Sequence, residues 1–121
     1  MTIQDCDAKF SLLIRERDNW TCQRCNTRFP QGAPNLHCSH FWGRSNKATR
    51  FDPDNCDSLC SFCHSIWEDD KQGAYWGFKR AQLGDERFDA LEARARSIIK
   101  FGQWEIDRKY EELSALQQLR A

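Results

Sequence analysis

Histidines and cysteines, the side chains that most often carry metal and proton chemistry, concentrate in the stretch Leu36–Asp70. This stretch holds all three histidines of the chain and four of its seven cysteines. The histidines are His37, His40 and His64. Imidazole accepts a proton near neutral pH and binds divalent cations, whereas a group of thiolates binds zinc. The stretch therefore predicts two metal systems, a structural one and one that does chemistry.

Two cysteine pairs of the form C-x-x-C predict the structural metal. They are Cys22–Cys25 and Cys60–Cys63. A single pair of this kind also serves thiol exchange, but no β-α-β pattern surrounds either pair, and two pairs together are typical of a closed four-thiolate zinc site. Zn²⁺ would then tie together the two ends of the segment between the pairs. His64, directly after Cys63, is an alternative zinc ligand.

Four further residues predict the working site. His40 is the best candidate for a general base, because the reference pKa of imidazole lies near 6.5. His64 and Glu68 are one helical turn apart in a predicted helix, so their side chains share a face and offer half of a site for Mg²⁺ or Mn²⁺. Such a cation would polarise a scissile phosphate. Asn55, in a turn, would hold the strand and loop so that His40 is aimed correctly.

The charge pattern bears on nucleic acid. The formal net charge is zero, but the segment Asn19–Phe51 contains no acid. Its basic residues are Arg24, Arg28, Arg44, Lys47 and Arg50. Acids bracket the segment at Asp18, Asp52, Asp54 and Asp57. Basic side chains contact phosphates and position DNA without reading its sequence. We expect a DNA-binding face here, although a solvated loop with a chance bias explains the same pattern.

Length and hydrophobic periodicity predict one small α+β domain. It divides into an N-terminal helix (1–18), a zinc-clamped core (20–73) and a helical C-terminal extension (74–121). The predicted helices are Ile3–Arg17, Ser58–Lys71, Asp85–Lys100 and Glu105–Arg120. The predicted strands are Leu36–Trp42 and Arg50–Phe51. Together with the helix that follows them, these strands would form a strand–strand–helix (ββα) unit.

The sequence gives no sign of a membrane segment. No apolar stretch approaches the roughly 20 residues of a membrane span, and no charged-then-apolar signal opens the chain. We therefore expect a cytoplasmic protein without a membrane partner. Thiols stay reduced in that compartment, which agrees with metal binding by the cysteines.

The order of His40, Asn55, Cys60, Cys63 and His64 reads H-(x14)-N-(x4)-C-x-x-C-H. This pattern resembles the HNH endonuclease family, which has the ββα-metal fold, including its branch with two zinc-binding cysteine pairs. More narrowly, the chain resembles phage NinG/Rap recombination nucleases, which share the layout of the segments His40-Phe41, Arg44-Ser45 and Arg50–Asn55.

The resemblance implies hydrolysis of DNA with a single divalent metal. His40 would match the general base, Asn55 the orienting residue and His64 a metal ligand. The four paired cysteines would match the structural zinc site. Glu68 matches a position that carries a further metal ligand in some branches of the family. If the chain is phage-encoded, its location would be the host cytoplasm.

One position departs from the family pattern. Many HNH enzymes carry an acidic metal ligand just before the first histidine, and here that position is Ser39. Three explanations are open. Glu68 replaces the acid, or His37, on the same strand face as Ser39, contributes a nitrogen. The third explanation is that the metal is held weakly with extra water, or that the site is degenerate.

Three functions follow from these patterns. The first is a DNA endonuclease of phage-type recombination or replication, acting on branched or structured DNA such as a Holliday junction or D-loop. A cut through both strands would then need a homodimer or successive nicks. The second is a zinc-stabilised DNA-binding module that has lost catalysis. The third is a zinc module that binds another protein through its C-terminal helices, against which the acid-free segment argues.

Overall fold

The computed structural model describes residues 1–120, which form four α-helices and one two-stranded antiparallel sheet. The helices are α1 (Ile3–Arg17), α2 (Ser61–Asp69), α3 (Trp76–Ala95) and α4 (Gln103–Arg120). The strands are β1 (Leu36–His40) and β2 (Cys56–Cys60). The protein is thus small and α+β, as predicted. Ala121, the last residue of the predicted extension, lies outside the described residues.

Helix α1 has the bounds that the sequence predicts. Thr2 Oγ1 accepts a hydrogen bond from the Asp5 N–H at 3.2 Å, and the Asp5 carboxylate accepts one from the Thr2 N–H at 2.8 Å. This reciprocal pair satisfies two backbone donors that the first helical turn leaves free. The buried face of α1 packs on α4 and includes Cys6, whose thiol donates to the Ile106 carbonyl at 3.4 Å.

The second strand differs from its prediction. Arg50–Phe51 is a turn, and β1 pairs instead with Cys56–Cys60, so that Leu36 lies opposite Cys60 and His40 opposite Cys56. The sequence of β2, C-D-S-L-C, lacks both alternation and β-branched residues. This segment forms a strand by pairing with β1, and most of its residues are buried. No local pattern in the sequence reveals either feature. Consequently α2 begins at Ser61 rather than Ser58.

The helices that follow also differ in extent from their predictions. After α2 the chain makes one wide π-type turn at Lys71–Tyr75 and continues directly into α3. Helix α3 ends at Ala95, not at Lys100, and it is kinked at Gly84, whose φ of 79° is unstrained only in glycine. Helix α4 begins two residues before the predicted Glu105. None of the helices in residues 1–120 is long and apolar enough to cross a membrane.

Aromatic side chains hold the second half of the core. Tyr75 stacks on Trp67 with ring centroids 4.6 Å apart, and the edge of Phe41 meets Tyr75 at 5.1 Å. Trp42, for which the sequence left base stacking and core packing open, lies against Phe41 and Trp76 and is partly buried. These contacts pack α2 and α3 on one face of the sheet, while α1 and α4 cover the other.

A buried ion pair joins α3 to the sheet. Lys79 Nζ lies 2.8 Å from Asp57 Oδ2, and both side chains are at most 1% exposed. The Gln82 amide donates to Asp57 Oδ1 at 2.8 Å, and the Tyr75 hydroxyl lies 3.0 Å from Asp57 Oδ2 and 3.2 Å from Ser39 Oγ. Both carboxylate oxygens therefore have partners, as a buried charge requires. This network was not predicted from the sequence.

Candidate metal centres and cleft

The four paired cysteines come together in one cluster. The Sγ atoms of Cys22, Cys25, Cys60 and Cys63 all lie within 4.8 Å of one another. Four thiolates about 2.3 Å from a tetrahedral zinc ion would be about 3.8 Å apart, so a small contraction completes the site. Cys22 and Cys63 are buried and Cys25 is exposed. The cluster is therefore able to hold a metal ion such as zinc, as the C-x-x-C pairs predicted.

Two different local structures present the thiols. Cys22 and Cys25 lie in a turn in which the Asn26 N–H donates to the Cys22 carbonyl at 2.8 Å, and Asn26 has a φ of 60°. Cys60 caps α2, and its sulfur accepts a hydrogen bond from the Cys63 N–H at 3.5 Å. Each C-x-x-C pair thus curls its two thiols toward one point, and the fold joins the pairs.

The surroundings of the cluster act in opposite directions on different thiols, and burial raises the pKa of the Cys22 thiol. Hydrogen bonds from Thr27 lower the pKa of the Cys25 thiol to about 6, whereas burial raises the pKa of the Cys63 thiol. Arg24 Nη1 donates to Cys63 Sγ at 3.4 Å. A cation beside a sulfur stabilises its anionic form. Arg24, which was predicted to contact DNA, is exposed, and its guanidinium lies against the cysteine cluster.

A second feature is a cleft of about 380 Å³ along β1. It brings together all three histidines, together with Glu68 and Arg44, whereas Asn55 of the predicted working site does not line it. The cleft is lined by Asp7, Ser11, His37, Cys38, His40, Gly43, Arg44, His64 and Glu68. Because His37 projects from one face of β1 and His40 from the other, the cleft is built at the edge of the sheet.

His40 has the hydrogen bonding of a neutral base. Its Nε2–H donates to the Arg50 carbonyl at 2.9 Å, which leaves the lone pair on Nδ1. Burial lowers the pKa of His40 below its usual value of 6.5, although the bond to the carbonyl opposes this effect. At neutral pH the ring is therefore unprotonated at Nδ1 and able to accept a proton.

His37 and His64 meet on the floor of the cleft. Their Nδ1 atoms are 3.0 Å apart, the distance of a hydrogen bond in which one ring donates and the other accepts, and this separation is also close to the value of about 3.3 Å expected for two nitrogens bound to one metal ion. Glu68 Oε2 lies 3.5 Å from the other nitrogen of His64, Nε2. His64 thus contacts His37 through Nδ1 and Glu68 through Nε2, and a cation bound between the two Nδ1 atoms would replace their hydrogen bond. Two imidazoles suit Mn²⁺ or a later transition metal better than Mg²⁺.

Ser39 occupies the position before His40, where many HNH enzymes carry an acidic metal ligand. Ser39 is fully buried and its hydroxyl lies against Tyr75, away from the cleft. A ligand at this position would have to leave the aromatic core. Of the two residues that the sequence offers in place of the acid, His37 lies against His64 Nδ1 and Glu68 against His64 Nε2.

Asn55 clamps the loop that follows β1. Its Oδ1 accepts from the Trp42 N–H at 2.8 Å, and its Nδ2 donates to the carbonyls of Trp42 and Thr49 at 2.9 and 3.1 Å. The Phe41 N–H donates to the Asn55 carbonyl at 2.8 Å. Both N–H donors of the buried side chain and one lone pair of its Oδ1 are therefore used, and they hold the loop in which the predicted positioning role would operate.

The predicted basic face is dispersed. Arg44 is 61% exposed at the cleft, and its Nη1 lies 3.6 Å from Asp7 Oδ2. Arg50 is only 13% exposed and pairs through two nitrogens with the same Asp7. Lys47 lines a separate surface cavity, and Arg28 is exposed beside the cysteine turn. The bracketing acids are also occupied. Asp52 pairs with Arg94, Asp54 with Arg87 and Asp57 with Lys79.

Sequence reasoning missed the part of the cleft that α1 supplies. Asp7 lies three residues before the buried Phe10, at the edge of the apolar face, where its charge was a usable signal. Searches for similar proteins add nothing to these observations. No family model, curated protein or solved structure matches the chain.

Proposed function

We propose that this protein is a metal-dependent nuclease of the HNH type that hydrolyses phosphodiester bonds in DNA. One observation carries the proposal. A neutral His40 with a free ring nitrogen lines the same cleft as the His37–His64 pair. A base for water beside a pair of nitrogen ligands is what hydrolysis with a single metal requires. The order of His40, Asn55 and His64 in the sequence supports the same family.

Each residue of the cleft has a separate task. His40 accepts the proton of the attacking water at Nδ1, and its bond to the Arg50 carbonyl holds the ring in that orientation. Arg44, exposed at the rim, contacts a phosphate. His37 and His64 would hold the divalent cation, which when bound stabilises charge on the phosphate and the leaving oxygen. Asn55 keeps the intervening loop in place.

The substrate is the finer part of the proposal. The resemblance to phage NinG/Rap nucleases supports branched DNA of recombination or replication as the substrate, and the host cytoplasm as the location. Comparing a four-way junction with a linear duplex of the same sequence tests this preference. If both strands are cut together, two centres are needed, and light scattering should then find a homodimer.

A second candidate is a DNA-binding module without catalysis. The buried Ser39 favours it, because the usual acidic ligand is missing and the hydroxyl has another use. This candidate predicts salt-dependent binding of DNA, with an affinity that His40→Ala and His64→Ala leave unchanged. It predicts no cleaved product with any divalent cation.

Replacing His40 with alanine tests the nuclease directly. We expect His40→Ala to reduce the cleavage rate by about 10²–10⁴-fold, the usual contribution of a general base. The zinc content and melting temperature should stay near those of the wild type. The rate of the wild type should be level above pH 6.5 and fall on acidification, because the pKa of His40 is lowered and only the neutral ring accepts a proton. Mn²⁺-dependent cleavage of supercoiled and branched DNA is the measurement.

One control variant and one contradicting outcome complete this test. Ser11→Ala alters the same cleft without removing a proposed ligand or base and should leave the rate within a few-fold. A zinc-loaded wild-type protein that cleaves neither linear, supercoiled nor branched DNA with any divalent cation would contradict the nuclease and favour the binding module.

The roles of His37 and Glu68 can be separated by their metal dependence. We expect His37→Ala to raise the Mn²⁺ concentration for half-maximal cleavage more than Glu68→Ala does, because only His37 reaches the nitrogen shared with His64. For Glu68→Ala the expected increase is about 10–100-fold, as for other residues that orient a ligand. Titration of each variant with Mn²⁺ measures both values. The reverse order would identify Glu68 as the ligand.

A further inference from the structure

Two thiols and an imidazole form a third cluster, on the side of the sheet that faces α1. The ligand atoms of Cys38, His40 and Cys56 all lie within 4.8 Å of one another. Cys38 and His40 are two residues apart on β1 and therefore share a face, and Cys56 lies opposite His40 in the register of the sheet. None of the three belongs to the four-cysteine cluster. The sequence did not predict this group, because the second strand was expected at Arg50–Phe51 and is instead Cys56–Cys60.

The imidazole of this cluster is prepared as a ligand. Metal-bound histidines almost always donate their second ring N–H to a carbonyl, a carboxylate or water. His40 already does so, through Nε2 to the Arg50 carbonyl at 2.9 Å, so Nδ1 carries the lone pair that a metal would take.

The cluster has an open side. Cys56 is fully buried and closes the back, whereas Cys38 and His40 line the cleft. A cation held by these three residues would therefore present its fourth position to the space of about 380 Å³. Three protein ligands with one open position are typical of zinc sites that bind exchangeable molecules.

We propose that Cys38, His40 and Cys56 form a second binding site for a thiophilic divalent cation of the Zn²⁺ class. Thiolate and imidazole select such cations over Mg²⁺ and Ca²⁺, which prefer oxygen. A cation here occupies the His40 nitrogen that would otherwise accept a proton. If the proposed nuclease function holds, Zn²⁺ at this site and base catalysis by His40 exclude each other, and zinc inhibits the enzyme.

The test is the binding of Cd²⁺ to the full-length protein, followed by ¹¹³Cd NMR. Cd²⁺ bound by four thiolates and Cd²⁺ bound by two thiolates and a nitrogen resonate at different shifts, so the two clusters are read separately. We expect both signals in the wild type. Cys38→Ser and Cys56→Ser should each lose the second signal and keep the first. Cys38 is only partly buried, so its replacement leaves a folded protein even if Cys56→Ser does not.

Two controls exclude other sites. Cys6→Ser removes a buried thiol outside the cluster and should keep both signals. His37→Ala disables the His37–His64 pair and should also keep both. A wild-type protein with only the four-thiolate signal at excess Cd²⁺ overturns the proposal, as does a second signal that survives Cys38→Ser.

An activity measurement tests the consequence independently. Zn²⁺ should inhibit Mn²⁺-dependent cleavage, and Cys38→Ser should need at least about 10-fold more Zn²⁺ for half-inhibition. Absence of cleavage in every variant would contradict the nuclease while leaving the NMR result intact. Equal inhibition of wild type and Cys38→Ser would show that zinc inhibits from another site and would overturn the stated consequence.

Discussion

Cys22→Ser is expected to abolish zinc binding at the four-cysteine cluster and to leave residues 20–75 without a stable fold. A structural zinc in a small domain contributes about 10–16 kcal/mol of apparent binding free energy. This is as large as the whole free energy of unfolding of a typical domain, about 5–15 kcal/mol. The loss of one thiolate should therefore decide whether this part of the chain folds.

The location of Cys22 explains the size of this effect. Between α1 and β1 the chain has no helix or regular strand, only an isolated bridge from Thr21 to Arg28. One backbone hydrogen bond, from the Gln23 N–H to the Ser58 carbonyl at 2.9 Å, ties this segment to β2. Zinc would supply the missing link, since its ligands come from this segment and from the start of α2.

Zinc content, far-UV circular dichroism and thermal unfolding measure the outcome. Cys6→Ser is the matched control, because Cys6 is equally buried but outside the cluster, and a serine hydroxyl is able to keep the bond to the Ile106 carbonyl. We expect Cys6→Ser to lower the melting temperature by only a few degrees and to retain zinc. A Cys22→Ser protein that melts like the wild type would exclude a structural role for the cluster.

Asp57→Asn is the second large expected effect. It leaves the Lys79 ammonium buried opposite a neutral amide, and breaking a buried pair in this way costs about 3–5 kcal/mol. The matched control is Asp85→Asn, the same chemical change at an exposed ion pair with Arg80. That change should cost less than about 1 kcal/mol. Urea unfolding followed by tryptophan fluorescence measures both values.

A double variant distinguishes the unpaired charge from a general loss of packing. Lys79→Met in the Asp57→Asn background removes the stranded ammonium, so the double variant should be more stable than Asp57→Asn alone. If Lys79→Met only adds to the destabilisation, the loss comes from the hydrogen bonds of Gln82 and Tyr75 rather than from charge.

The features that the sequence predicted correctly depend on short-range patterns. Helix α1 follows from a capping box and an apolar stripe within its own residues. The four-cysteine cluster follows from two C-x-x-C pairs whose chemistry has few alternatives. In both cases the information lies in residue types and spacing, and distant parts of the chain do not alter it.

The features that the sequence did not predict depend on distant contacts. The sequence of β2 does not indicate a buried strand, because Asp57 and Ser58 are polar. Both are buried in the fold, where residues of other elements provide their partners. Arg50 reads as a phosphate ligand because its partner, Asp7, is far away in the sequence. The cluster of Cys38 with Cys56 depends on a strand register that no local pattern contains.

The clamp formed by Asn55 has a consequence for the entropy of binding. Flexible loops that bind a ligand lose conformational freedom on association, and that loss reduces affinity. Here the loop from Trp42 to Thr49 is already fixed by three hydrogen bonds to Asn55, and Arg50 Nη1 donates to the Arg44 carbonyl at 3.2 Å. Folding has thus ordered the backbone that carries Arg44 before any ligand arrives. If the proposed function holds, a phosphate approaching the cleft would meet a preorganised loop, and the Arg44 side chain would exchange its contact with Asp7 for one with the phosphate.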